Sequence, residues 1–275
     1  MTMLHGVVSE NPVSSVIITG LVVAIAAYLL VVAALAIAQR KLLYRPPPTS
    51  HAPQTAGITG MAAIYQNGAL LGWYAPPPTE NAPVLVFFHG NRGTLARVAA
   101  KTAPWRIAPI GIFAATYAGY EGNPGRPSET QLYADGRMVL DWLTRSGISK
   151  RRIILYGESL GTGIVTQLAC EQAFLAIVLE APFSSITDVA AVRYPWLPCR
   201  WLLRDRFDSL SKISRITSPL LILHGGADRT VPVEHARALV KAAPRTQLVI
   251  VAEAGHLNLH DKGATAPLLA FIDAL

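Results

Sequence analysis

The chain is poor in cysteine and in charged residues. Its 275 residues include two cysteines. That is too few for a disulfide framework, and no C-x-x-C motif or His/Cys cluster indicates a metal site. Charged residues make up 15% of the chain, with a net charge of +7. Because there is no basic run, aromatic RNA-binding motif or acidic tail, a nucleic-acid partner is not expected. We expect the positive charge to attract anionic lipid. The alternative is that it only keeps the protein soluble.

Charge is absent altogether from one stretch near the N-terminus, Val16 to Ala38. As a helix this stretch would be about 34 Å long, and a hydrocarbon core is about 30 Å thick. A cleaved signal peptide is the alternative, because Ala36-Ile37-Ala38 resembles a cleavage site. However, residues 1–15 contain no Lys or Arg and the apolar run is long for a signal peptide. We therefore predict an N-terminal segment, 1–39, with an uncleaved transmembrane helix at about 16–38.

The charges that flank this helix predict its orientation. Glu10 precedes it, whereas Arg40, Lys41 and Arg45 follow it. Since positive residues tend to stay in the cytoplasm, we expect a single-pass protein with its C-terminal domain on that side. The alternative is that Arg40 and Lys41 only hold the helix at a head-group surface.

Residues 40–275 suit one domain in which strands and helices alternate. Apolar runs predict strands at 62–66, 69–74, 84–89, 111–116, 152–156, 175–180, 220–224 and 247–251. Helical patterns lie near 95–102, 128–146, 164–172, 233–243 and 266–274. The first two strands can form an antiparallel hairpin through Asn67-Gly68. The later alternation predicts an α/β fold, a mostly parallel sheet with helices on both faces.

The most informative motif is G-x-S-x-G at residues 157–161, Gly-Glu-Ser-Leu-Gly. It lies between a strand-like and a helix-like run, the context in which a sharp turn exposes the serine and the helix N-terminus offers free N–H groups. A strand-to-helix turn without chemistry is the alternative. The context favours Ser159 as a nucleophile.

A nucleophilic serine needs a base and an acid, and the expected chain order is Ser, Asp or Glu, His. Asp228 and His256 each follow an apolar strand-like run. In a parallel sheet they would share an edge with Ser159.

The backbone N–H groups of Leu160 and Asn91 are our candidates for the oxyanion hole, with Arg92 the alternative to Asn91. His89 comes too early in the chain order to be the base, so we interpret it as shaping its loop.

Together these motifs resemble the α/β-hydrolase fold, and more narrowly its membrane-anchored serine hydrolases. The resemblance covers about residues 40–275 and rests on five segments in the expected order: His89-Gly90-Asn91, 116–120 with 127–129, 156–161, 223–228 and Gly255-His256. It implies that Ser159, Asp228 and His256 are nucleophile, acid and base. Two segments depart from the family pattern: Ala118 stands where an arginine is usual, and Leu257-Asn258 replaces Asn-Asp.

Residues 184–215, where this family usually inserts a cap, interrupt the alternation. Aromatic and basic residues are mixed there, and Trp196 and Trp201 are candidates for binding an acyl chain. The alternative is a solvated basic helix packed on the core. Asp205 and Asp208 weaken the case for a lipid-binding patch.

The expected reaction is acyl transfer to water, which needs no cofactor or metal. These groups do not distinguish esters, thioesters and peptides, but the membrane helix favours a small-molecule or lipid-like acyl ester or thioester. A serine peptidase is the second enzymatic hypothesis. A non-catalytic membrane scaffold is the rival from another class, because a fold alone does not establish an activity. The sequence does not fix the oligomeric state.

Overall fold

The computed structural model describes residues 12–47 and 52–275. The chain separates into two compact units, residues 1–39 and 40–275. Glu10, used above for the orientation of the helix, lies outside the described residues.

The N-terminal helix, α1, extends over Pro12–Leu43. The part from Ser15 to Leu43 has a mean hydropathy of 2.9 and is not buried within the described structure. It is long and apolar enough to span a membrane, a criterion that a signal sequence near the N-terminus also meets. Its first turn has no acidic residue, and its last turn carries Arg40 and Lys41.

The second unit is built on an eight-stranded sheet with helices on both faces, as predicted. Its strands are β1 Ala62–Gln66, β2 Ala69–Ala75, β3 Val84–Phe88, β4 Gly111–Ala115, β5 Ile153–Glu158, β6 Ala176–Glu180, β7 Leu220–Gly225 and β8 Gln247–Val251. Its helices are α2 Leu95–Thr102, α3 Glu129–Arg145, α4 Leu160–Glu171, α5 Ile186–Arg193, α6 Cys199–Leu202, α7 Glu234–Ala242 and α8 Thr265–Asp273.

The strand order is β1-β2-β4-β3-β5-β6-β7-β8. β1 and β2 form the antiparallel hairpin that Asn67-Gly68 predicts, and both turn residues have positive φ, 51° and 79°. β2 pairs antiparallel with β4. From β4 to β8 all pairings are parallel, which confirms the mostly parallel sheet.

The two faces of the sheet follow the period of two along each strand. In β3, Val84, Val86 and Phe88 pack into the core that α3, α4 and α7 cover. Leu85 and Phe87 pack into the core beneath α2 and α8. All five side chains are fully buried, which explains why the strand is a continuous apolar run.

One boundary differs from the prediction at a place that matters. α4 begins at Leu160, directly after the candidate nucleophile, and not at Ile164. Gly161 and Gly163 are poor helix formers, so propensity alone delays the predicted start. Tertiary contacts of both glycines override that propensity.

The segment that joins α1 to the sheet packs on the second unit. Tyr44 is buried in the core. Arg40 donates two hydrogen bonds, of 2.8 and 3.0 Å, to Asp205, and the Leu43 carbonyl accepts one of 3.0 Å from the Asn91 side chain. Residues 40–44 are therefore part of the folded unit.

We expect a chain of residues 40–275 to be folded, and a chain of residues 46–275 to be less stable. The shorter chain loses the burial of Tyr44, a contribution of about 2 kcal/mol, and leaves Asp205 without its arginine. For a domain of this size that corresponds to a Tm lower by about 4–8 °C. Calorimetry of both chains measures the difference. Equal Tm values would show that residues 40–45 do not stabilise the unit.

Candidate active site

Ser159 occupies a sharp turn between β5 and α4. Its backbone angles are φ 51° and ψ −114°, a region that a non-glycine residue rarely adopts. Its backbone N–H donates to the carbonyl of Glu180 at the end of β6, at 2.9 Å. The neighbouring strand therefore fixes the strained turn.

The glycines of the motif are required by close backbone contacts. A Cβ atom at Gly161 would lie 2.0 Å from the Phe88 carbonyl oxygen, and one at Gly157 would lie 2.6 Å from the carbonyl oxygen of Gly161. Relieving the first contact would move the end of β3, and relieving the second would move the first turn of α4. The pattern G-x-S-x-G is therefore a packing requirement of this turn.

The structure brings Ser159, Asp228 and His256 together at the carboxyl edge of the sheet. They follow β5, β7 and β8 respectively. His256 Nε2 lies 2.9 Å from Ser159 Oγ, and His256 Nδ1 lies 2.7 Å from Asp228 Oδ2. These are hydrogen-bond distances along a serine–histidine–aspartate chain.

The environment of Asp228 keeps it ionised. Burial raises the pKa of its carboxyl, but the hydrogen bond and charge of His256 and the backbone N–H groups of Val231 and Thr230 outweigh burial and lower it. Because an ionised carboxylate can only accept, His256 carries its proton on Nδ1. Nε2 is then free to accept the Ser159 hydroxyl proton.

The two candidate oxyanion donors are available to a substrate. The backbone N–H groups of Leu160 and Asn91 donate to no acceptor among the described residues. Leu160 is the first residue of α4, so its N–H belongs to the positive end of that helix. The loop that carries Asn91 packs against the same turn, since a Cβ at Gly90 would be 3.3 Å from Ser159 Cβ.

Two buried tyrosines fix the Asn91 loop. Tyr117 Oη donates to the His89 carbonyl at 3.0 Å, and Tyr120 Oη donates to the Asn91 carbonyl at 2.9 Å. The His89 ring is buried and bonded through Nδ1 to the Gly90 carbonyl. Burial lowers the pKa of His89 to about 4, so the ring is neutral at pH 7. These contacts agree with the structural role that we predicted for His89.

A buried ion network beside the nucleophile was not predicted. Lys101 Nζ lies 2.5 Å from Glu158 Oε2 and 2.6 Å from Glu180 Oε2. Arg97 pairs with Glu158 at 2.8 Å, and Tyr156 Oη donates to Glu180. Glu158 precedes Ser159 in sequence, and Glu180 accepts the Ser159 N–H through its carbonyl. The network therefore joins the ends of the two strands that fix the turn.

The charges in this network support one another. Burial raises the pKa of Glu180, but the charge of Lys101 and contacts with His260 and Lys101 outweigh it and lower the pKa. Burial likewise lowers the pKa of Lys101, and the two carboxylates raise it above its usual value. The sequence did contain a signal for this network: Glu158 and Glu180 are single acidic residues, each at the end of an apolar run.

The predicted acyl-binding tryptophans are exposed. Trp201 is 88% and Trp196 is 53% accessible to solvent, so the described residues do not enclose them around a substrate. A cavity of about 120 Å³ lies elsewhere, between β2 and α3, and its lining includes neither Ser159 nor His256. Acyl binding by the two tryptophans stays a prediction.

Among the residues described, 12–47 and 52–275, no group of three His, Cys, Asp or Glu side chains is placed to hold a metal ion.

The sheet order and the strand-to-helix turn define an α/β-hydrolase fold. A family model, the prolyl oligopeptidase family, matches residues 128–274. An uncharacterized protein of Mycobacterium tuberculosis is 36% identical over 225 residues, covering 79% of this chain and 80% of that protein. The chain therefore belongs to the prolyl oligopeptidase family of the α/β-hydrolases, and it is a hydrolase of that superfamily.

Other relatives agree on the fold. The human alpha/beta hydrolase domain-containing protein 17C is 35% identical over 178 residues, which are 64% of this chain and 53% of that protein. An esterase of Pyrococcus furiosus matches 84% of this chain and 98% of its own, with a TM-score of 0.64 and 16% identity. A puromycin-hydrolyzing peptidase of M. tuberculosis matches 78% of this chain and 39% of its own, with a TM-score of 0.63 and 19% identity.

Lys101→Met should destabilise the protein by about 3–5 kcal/mol, because it leaves Glu180 buried without its cation. Burial then raises the pKa of Glu180, and a raised folded-state pKa favours the folded state at low pH. The loss measured by denaturant unfolding should therefore be smaller at about pH 5 than at about pH 8.

The double variant Lys101→Met/Glu180→Gln is the matched control, because it removes both charges. It should recover most of the stability at about pH 8. If the single variant lost the same stability at both pH values, lost packing rather than charge would explain the effect.

Proposed function

We propose that the chain is a membrane-anchored serine hydrolase that cleaves acyl esters or thioesters through Ser159, His256 and Asp228. The observation that carries this proposal is the hydrogen-bonded chain of the three side chains, at 2.9 and 2.7 Å, beside the free N–H groups at the start of α4. The hydrolase family of the chain supports the same class of reaction.

In this mechanism Ser159 Oγ attacks the carbonyl carbon of the substrate while His256 Nε2 takes its proton. Asp228 holds the imidazole by its Nδ1–H and stabilises the imidazolium that forms. The N–H groups of Leu160 and Asn91 donate to the oxyanion. His256 then protonates the leaving group, which departs and leaves an acyl-enzyme. Water attacks the acyl-enzyme with His256 as base, and Ser159 is released.

The proposed substrate is a small or lipid-like acyl compound. A membrane anchor at Ser15–Leu43 would keep the site near lipids and lipidated proteins. The positive residues after the helix, Arg40, Lys41 and Arg45, favour a cytoplasmic domain. Trp196 and Trp201 are proposed as an open apolar rim past which an acyl chain enters.

A serine peptidase is the second candidate function. The matching family model is that of prolyl oligopeptidases, and one structural neighbour is named as a peptidase. Competition of fluorophosphonate labelling by acyl esters and by peptides separates the two substrates. A non-catalytic scaffold is less well supported, because it has no need of three aligned catalytic-type side chains.

Ser159→Ala should leave the fold intact and reduce p-nitrophenyl ester turnover by about 10⁴-fold or more. Asp228→Asn should also be severe, and the double variant should be no worse than Ser159→Ala, because the groups act as one unit. Steady-state kinetics measures each loss. Ser146→Ala, an exposed serine at the end of α3, is the control and should keep full activity. Additive losses in the double variant would argue against a shared triad.

Acyl preference tests the proposed rim. We expect kcat/KM to rise from acetyl to medium-chain esters by up to about fourfold per CH₂, the effect of burying about 0.8 kcal/mol. Trp201→Ala should flatten that slope more than it lowers acetyl turnover. Ile107→Ala is the matched control, because Ile107 is 83% exposed but lies before β4, at the opposite edge of the sheet. An unchanged slope in Trp201→Ala would remove Trp201 from the acyl site.

A further inference from the structure

The outer side of the cap exposes large apolar side chains. We call Val192, Tyr194, Trp196 and Trp201 the cap surface; their exposed fractions are 69, 47, 53 and 88%. All four lie in one stretch of ten residues, 192–201, which runs from the last turn of α5 into α6. Scattered exposed apolar residues are ordinary, but two tryptophans and a tyrosine in one short segment mark an interaction surface.

Packing of the cap itself does not explain this surface. The inward side of the cap has its own buried residues, namely Cys199, Phe207 and Ile213. Phe207 lies against Gly163 of α4 and against the Tyr133 ring of α3. The cap is therefore attached to the domain through one side, and its aromatic side is left facing outward.

Arginines surround the cap surface. Arg193, Arg200, Arg204 and Arg206 are all exposed. Three acidic residues offset this charge in part. Asp188 lies 3.7 Å from Arg200, Asp205 is buried and bonded to Arg40, and the exposed Asp208 accepts a hydrogen bond from the backbone N–H of Ser211. The outward charge is positive, which matches an anionic surface.

Aromatic side chains with arginines among them fit the boundary between lipid head groups and acyl chains. Tryptophan and tyrosine are enriched there because each has an apolar body and a polar tip. Arginine can place its stem along apolar surface and its guanidinium on a phosphate.

The chain also enters the hydrolase unit beside the cap. Arg40, three residues before the end of the apolar helix, bonds to Asp205, and Arg206 donates its backbone N–H to Glu129 at the start of α3. The last turn of the helix and the cap are therefore neighbours within the second unit. This continuity selects the bilayer that holds the helix as the occupant of the cap surface.

We propose that the cap surface docks on the anionic surface of the bilayer in which the chain is anchored, with Trp196 and Trp201 at the boundary between head groups and acyl chains and the arginines on lipid phosphates. The proposal rests on the membrane anchor of the proposed function. It adds a second, reversible contact with the membrane, and it places the rim of the site where a lipid-derived acyl chain would arrive.

The test uses the full-length chain with Cys170→Ala and Cys199→Ala, reconstituted into vesicles of phosphatidylcholine and phosphatidylglycerol. An environment-sensitive fluorophore is attached at Trp201→Cys, and in a separate protein at Val192→Cys, which keeps both tryptophans. Ile107→Cys, exposed at the opposite edge of the sheet, is the control. Each label is quenched either by a nitroxide lipid or by aqueous iodide.

Labels at 192 and 201 should be quenched by the nitroxide lipid and protected from iodide, whereas the label at 107 should show the reverse. In Arg193→Gln and in Arg204→Gln, the ratio of docked to undocked protein should fall about fivefold. On vesicles of phosphatidylcholine alone, the ratio of docked to undocked protein should also fall. Equal iodide quenching at 107, 192 and 201 would overturn the proposal, and equal docking on both kinds of vesicle would overturn its electrostatic part.

Two further readouts separate this proposal from the proposed function. Flotation with vesicles tests the anchor, and fluorophosphonate labelling tests the hydrolase. A chain that floats and is labelled but keeps residues 192 and 201 in water contradicts the docking alone. A chain that does not float contradicts the anchor and the docking with it.

Discussion

The close approach of the turn after β5 to the end of β3 is the constraint on which the site depends. The Gly161 backbone lies against the Phe88 carbonyl with no space for a Cβ, so α4 begins directly at Leu160. This early start places a free helix N-terminus beside Ser159, whose positive φ turns it out of the sheet. The contact between Gly161 and Phe88 therefore has two results. It positions the Ser159 hydroxyl, and it leaves the oxyanion donor at the start of α4 available.

The strain in this turn is balanced by contacts from the neighbouring strands. The N–H of Ser159 is bonded to Glu180, and Lys101 draws the side chains of Glu158 and Glu180 together. Burying Lys101, Glu158 and Glu180 costs free energy, which only close pairing offsets. A network of this kind holds one geometry rather than adding net stability. We interpret it as the support of the strained turn.

Local pattern was enough to predict most of the fold. Continuous apolar runs predicted the buried strands. The expected order of serine, acid and histidine selected Ser159, Asp228 and His256, which the structure brings together. What the sequence did not show depends on distant contacts. The start of α4 follows from Phe88, about seventy residues earlier in the chain, and the partners of Lys101 come from two other strands. The exposure of Trp201 likewise depends on which side of the cap faces the core, and the cap is too irregular to have a readable period.

The identity of the nucleophile is the central claim, and mapping of a covalent adduct tests it most directly. The full chain is treated with a fluorophosphonate and digested, and the modified residue is located by mass spectrometry. The account predicts a single phosphonyl adduct on Ser159, formed only in protein that is folded. An adduct on a different serine, or active protein that hydrolyses esters without any adduct on Ser159, would contradict it.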